Sequence, residues 1–182
     1  MNESNLNTQT STMKLAKMGM LTAISIVLVA LIRFPFPLLP ILEYDPADIS
    51  IMIGAFAFGP LAGLTITVVV AVIQGMLFST TGPYGIVMHI IATGVFVIVS
   101  GLIYRKHKTK KAALIALVAG TLAMTAVMVP ANYIITPLYF QMPRAAVVPM
   151  LPAVALFNLM KAGINSAVTF ILYKRISTFL HK

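Results

Sequence analysis

Near the end of the chain, Asn158, Lys161 and Asn165 stand at i, i+3 and i+7, with Thr169 four residues further on, inside the apolar stretch 152–174, PAVALFNLMKAGINSAVTFILYK. At about 100° per residue these four fall on one stripe of a helix whose other faces are apolar. The stretch is long enough to cross a bilayer, which takes about 20 apolar residues. A lysine near the centre of such a helix costs about 2.5–3.5 kcal/mol on insertion scales, so it turns to a cavity or a partner. Amides offer donors and acceptors and a lysine offers donors only. Together they form a hydrogen-bonding edge suited to a polar ligand. The structural alternative is that Lys161, about 12 Å from the outer end of its helix, snorkels outward while the amides bond neighbouring helices.

Other chemistry is missing. The chain has no cysteine, which removes disulfides and thiolate nucleophiles. No G-x-x-x-x-G-K-[ST] phosphate loop, G-x-S-x-G or H-E-x-x-H occurs. His89 has no second ligand at metal spacing. The acids occupy only the N-terminal tail and residues 43–48, so no carboxylate is expected within a span, where proton-coupled carriers usually need one. No inverted repeat of the secondary-transporter kind is evident. A pocket without catalytic groups, metal or motor implies a binding subunit powered by partners rather than an enzyme.

The elements that must position these residues are membrane helices. Of 182 residues, 59% are hydrophobic and 9% charged, and the net charge is +9. Ten of the thirteen basic residues sit in three segments: Lys14 and Lys17, then Arg105 to Lys111, then Lys174 to Lys182. All three can be cytoplasmic, the positive-inside pattern. The charge is therefore topological and does not mark a nucleic-acid surface. The first apolar run lacks a clear cleavage site and reads as an uncleaved helix. The expected architecture is an all-α, multi-pass protein of six transmembrane helices with both termini cytoplasmic. Residues 1–12 read as a mobile cytoplasmic tail and 13–182 as a single domain.

Span 1 covers about 13–32, and Ala16, Gly19 and Ala23 lie on a small-residue face that admits close approach of another helix. Residues 33–48 form an outer connection rich in proline and aromatics that should pack over or into the bundle. In it Asp45-Pro46-Ala47-Asp48 reads as the N-cap and first turn of span 2, and Glu43 is left over for a pocket mouth. Span 2 is short, about 46–58, and Gly59-Pro60 turns it into span 3, about 61–78, where Thr67 and Gln74 share a face. Span 4, about 86–104, aligns His89, Thr93, Phe96 and Ser100. Span 5 is expected over 112–130, with Thr121 and Thr125 in line and Asn132 just beyond its end. A proline-rich outer connection, 132–150, leads to span 6. Three polar stripes turned together would enclose an apolar-walled cavity with a few convergent polar groups.

Three segments carry a resemblance: FPLLPILEYDPADISIMIGAFAFGPLAG, TAVMVPANYIITPLY and FNLMKAGINSAVTFILYKR. With them the chain resembles, from span 1 to the C-terminus, the riboflavin-specific S components (substrate-binding membrane subunits) of the energy-coupling factor (ECF) transporters of prokaryotic plasma membranes. The resemblance implies a vitamin site near the outer side under the first loop. It also implies assembly with a transmembrane T component and two ATP-binding subunits, and toppling in the membrane to release substrate inward. The family's flavin contacts fall on Asn132, Asn158 and Lys161; Asn165 is added from the stripe and Glu43 from the loop. The family's Ala-xxx-Ala motif for the T component is not kept: Ala16 is followed at i+4 by Met20, and Gly19/Ala23 would have to substitute. FMN, a flavin analogue or another vitamin on the same scaffold, and a stand-alone facilitator, are the alternative readings.

Overall fold

The computed structural model describes residues 3–78 and 81–180, with side chains for 11–78 and 81–172. Six long helices build the bundle: α1 (Glu3–Leu31), α2 (Ala47–Phe58), α3 (Pro60–Leu77), α4 (Pro83–Lys106), α5 (Lys110–Phe140) and α7 (Leu151–Leu180), with a single turn, α6 (Arg144–Val147), before the last. Five stretches are long and apolar enough to cross a membrane: Ser11–Leu31, α3, α4, α5 and Arg144–Leu172.

The sixth, α2, is different. Its twelve residues reach only about 18 Å at 1.5 Å per residue, against a hydrocarbon core of about 30 Å. It is apolar all round, and Ala47 to Phe56 are all buried. Such a helix belongs inside a bundle rather than on its lipid face. Indeed α2 touches α1, α3, α4 and α7 and forms the central post. At its lower end Gly59 takes φ 97°, which a side chain would disfavour, and Pro60 starts α3 immediately.

Because α2 is short, the chain must enter the membrane in some other form to reach it. Residues 33–48 do so as an antiparallel hairpin rather than an irregular loop. β1 (Phe34–Phe36) pairs with β2 (Leu39–Tyr44), Phe34 opposite Tyr44. Phe36 and Tyr44 are buried, and Phe36 packs on Phe157 of α7 at 5.4 Å between ring centroids. The Tyr44 hydroxyl donates to Asn165 Oδ1 at 3.0 Å, fourteen residues and about 21 Å along α7 from Leu151. One side of the hairpin is thus set into the bundle through Phe36 and Tyr44, while Phe34, Leu38 and Ile41 stay exposed, and its strands satisfy each other's backbone groups.

Two further boundaries depart from expectation. α5 does not stop at Pro130; it runs through Pro130 and Pro137 to Phe140, where Gln141 closes it in the left-handed conformation. Asn132 is therefore inside the helix rather than in a loop. Proline costs a hydrogen bond, yet membrane helices tolerate it where neighbours re-satisfy the backbone, and α4 and α7 flank α5 on either side. The outer connection shrinks to residues 141–150 accordingly. On the cytoplasmic side the helices approach closely: a Cβ built on Gly120 would lie 2.0 Å from Ser100 Oγ and 2.8 Å from Phe96. One built on Gly63 would lie 2.6 Å from the Ala55 side chain.

Candidate binding site

The three polar stripes turn inward as expected: Thr93, Ser100, Thr121, Asn132, Asn158, Lys161, Asn165 and Thr169 are all buried. The partner they find was not expected. The two acids read as a helix cap, Asp45 and Asp48, are 1% and 0% exposed and face α3, α4 and α7, so the bundle does contain intramembrane carboxylates.

Asp45 is the centre of the arrangement. One oxygen, Oδ1, accepts from the Ala47 N–H at 3.1 Å, a turn bond made from one residue ahead of the cap rather than the expected capping bond, since the N-cap of α2 is Pro46, which has no side chain to cap with. The other, Oδ2, accepts from Lys161 Nζ at 2.8 Å and from Gln74 Nε2 at 3.1 Å. Lys161 does not snorkel; its ammonium is buried against a carboxylate from the opposite end of the sequence. Asp48, a turn deeper, accepts from Thr93 Oγ1 at 2.8 Å and Asn165 Nδ2 at 3.2 Å, and His89 Nε2 stands 3.9 Å away. Asn165 Nδ2 also donates to the Asp45 carbonyl at 3.1 Å. Buried charges persist only when paired and hydrogen-bonded; one anion comes from the first turn of α2 and the other from the joint just before it.

Beside this network lies a cavity of about 110 Å³. Its walls bring together three of the residues singled out from sequence, Glu43, Asn132 and Lys161, with Asp45, Gln74, His89, Tyr84 and Arg33. Asn158 and Asn165 are not in those walls. Asn158 is buried with its Nδ2 on the Val154 carbonyl at 2.8 Å, and Asn165 is held by Tyr44 and the two aspartates. Asn132 is oriented from three sides: its Nδ2 donates to the Met128 carbonyl at 2.8 Å, and its Oδ1 accepts from Tyr84 and Thr136 at 3.2 Å each. At the mouth Glu43 takes a two-pronged bond from Arg33, at 2.9 and 2.6 Å. A third Arg33 nitrogen donates to the Phe78 carbonyl and ties the hairpin to the end of α3.

Two buried polar atoms in these walls have no hydrogen-bond partner among the described residues: Gln74 Oε1 and His89 Nε2. Leaving such an atom unpaired costs about 1–3 kcal/mol. Sequence reasoning put Gln74 on a polar face without giving it a role and left Arg33 unremarked in the outer connection. The usable signal was charge balance: a lysine inside a span needs an anion, and three of the chain's four acids lie within residues 43–48. Among the described residues no cluster of His, Asp and Glu could hold a metal ion.

Residues 13–173 match the family model for the substrate-specific component of ECF transporters. The chain is 31% identical over 177 residues to the riboflavin transporter RibU of Staphylococcus aureus (strain TCH60), covering 93% of each. It is 35% identical over 130 residues to the riboflavin transporter FmnP of Bacillus subtilis (strain 168), covering 69% of this chain and 68% of that one. A solved structure of the S component of a bacterial ECF transporter superposes with a TM-score of 0.81 at 30% identity, over 94% of this chain and 99% of that one.

Proposed function

The chain belongs to the substrate-specific components of ECF transporters, and from that premise we propose that it captures riboflavin at the outer side of the membrane and presents it for transport. The observation that carries the reading is the outer cavity, where Lys161, Asn132 and the unpartnered Gln74 Oε1 converge beneath β2. A flavin's pyrimidine edge alternates carbonyl and N–H groups. Lysine and amide donors match its carbonyls, and an amide oxygen matches its N–H. The ribityl hydroxyls suit the Arg33–Glu43 pair at the mouth. Asn158 and Asn165 support the site from behind, holding α7 and the hairpin in register. The cavity of about 110 Å³ is below the 300–1,000 Å³ usual for a small-ligand site. Binding a three-ring ligand therefore takes an outward shift of β2, whose Ile41, Leu42 and Glu43 form one wall.

A captured ligand has no motor in this chain to move it. The reading supplies one through a transmembrane T component and two ATP-binding subunits. Ala16, Gly19 and Ala23 support a partner surface on α1: all three are exposed, and nothing lies within 4 Å of a Cβ built on Gly19. Residues 13–182 act as one substrate-binding domain and 1–12 as a cytoplasmic tail.

The test is direct because the chain has no tryptophan to mask flavin emission. Protein purified from riboflavin-fed cells should be yellow and release one flavin per chain on denaturation. Colourless protein that also fails to quench riboflavin fluorescence in a titration overturns the reading. Vesicles holding the chain alone should bind riboflavin without carrying it across; uptake without ATP-binding partners would instead support a facilitator.

A further inference from the structure

Between α5 and α7 lies a groove of about 450 Å³, larger than the outer cavity and almost wholly apolar. Leu114, Val118 and Leu122 form one wall and are half exposed, at 50%, 52% and 57%. Leu159, Gly163 and Ala167 form the other. The only hydroxyls in it, Thr121 and Ser166, bond each other at 3.1 Å across the floor, so the groove asks for no polar group. It opens sideways, toward lipid.

We propose that this groove is a binding site for one acyl chain of an anionic phospholipid of the cytoplasmic leaflet, with Lys110 and Lys111 holding its headgroup. Length favours a lipid over a transmembrane helix. From Leu114 to Leu122 the groove follows α5 for about 12 Å at 1.5 Å per residue, close to the half-thickness of a hydrocarbon core of about 30 Å. An acyl chain ends near the midplane, whereas a partner helix would need the contact to continue through the other leaflet. Charge favours an anionic head. Lys110 stands one helical turn before Leu114 and shares its stripe at i, i+4, i+7 and i+11 with Leu114, Leu117 and Thr121. Lys111 leads the neighbouring row through Ile115, Val118 and Leu122. Both lysines are exposed, free to meet a phosphate at the interface. Juxtamembrane cations of this kind gain about 5-fold in anionic-lipid binding each.

Native mass spectrometry of the full chain with dioleoyl phosphatidylglycerol and dioleoyl phosphatidylcholine tests the site. The unaltered protein should retain one phosphatidylglycerol about 25-fold better than phosphatidylcholine, two lysines at about 5-fold each. The double variant Lys110→Ala, Lys111→Ala should keep a bound lipid and lose the preference. Gly163→Leu fills the groove from its α7 wall, where a Cβ meets nothing within 4 Å. It should lose retention of both lipids by about 10-fold or more while its circular dichroism and thermal midpoint stay unchanged. Equal retention of the two lipids by the unaltered chain overturns the headgroup assignment. Undiminished retention by a folded Gly163→Leu overturns the groove. So does a Gly163→Leu chain that keeps its lipid and fails only to assemble with a T component, which would mark the groove as a helix-docking face. None of these outcomes depends on flavin binding.

Discussion

On the outer side, α2, α3, α4 and α7 meet through two carboxylates, an ammonium and three amides or hydroxyls. On the cytoplasmic side, helices of the same bundle meet through glycine and aromatic rings: Gly120 against Ser100 and Phe96, Gly101 against Pro60, and Phe56 stacked on Tyr104 at 4.3 Å. The first kind of contact can be exchanged, because a donor that leaves one acceptor can take another from a guest. The second cannot, because interiors at crystal-like density have no alternative fit. The contrast locates what can rearrange in the molecule and what must stay fixed while it does.

The sharpest way to break this contrast is to remove one charge. Asp45→Ala leaves Lys161 buried and alone, and should cost about 3–5 kcal/mol of stability in detergent unfolding. The double variant Asp45→Ala, Lys161→Met should recover most of that loss and still fail to bind riboflavin. Recovery of binding would mean that the pair is scaffolding only. Next comes Gly120→Ala on the packed side: overpacking should cost about 1–3 kcal/mol, yet each folded molecule should bind riboflavin with unaltered affinity, as measured by fluorescence titration. A weakened affinity would show that the two halves are not separable. Gln74→Leu should weaken binding by about 1–2 kcal/mol, since a ligand N–H loses its acceptor, and should also lower the thermal midpoint, since Asp45 Oδ2 loses a donor. The smallest effect is expected for Arg33→Ala. The Arg33 and Glu43 side chains are 20% and 25% exposed, a setting in which an ion pair contributes about 1 kcal/mol or less and weakens with salt. Raising ionic strength should reduce the difference between variant and parent.

Much of this was legible in the chain itself. The stripe Asn158, Lys161, Asn165 and Thr169 predicted an inward face on α7, and all four are buried. The Gly59-Pro60 elbow held as well. The counter-ion did not come through, for a physical reason. Asp45-Pro46-Ala47-Asp48 reads as a complete helix start, and Asp45 does bond the Ala47 N–H although Pro46 is the N-cap, so nothing local called for Lys161, which lies 116 residues away. A carboxylate has two oxygens, and only one was spoken for. Pro130 misled in the opposite direction. Locally it removes a hydrogen bond, but flanking helices set the outcome, and α5 carried Asn132 to the cavity as a helical residue. The hairpin was hidden by Pro35 and Pro40, which argue against a central strand but are compatible with a two-stranded ribbon made of edges.

That ribbon has a mechanical corollary. Its strands bond to each other, so it can lift as one stiff flap without stranding backbone N–H groups in a dry interior. Both ends are sewn to helices, α1 through Ile32–Arg33 and α2 through Asp45–Pro46, which leaves those short joints as the hinge. The latch is equally compact: the Tyr44 hydroxyl on Asn165 and the Phe36 ring on Phe157. A gate built this way opens by releasing a few side-chain contacts, these two and the Arg33 bond to the Phe78 carbonyl, rather than by melting.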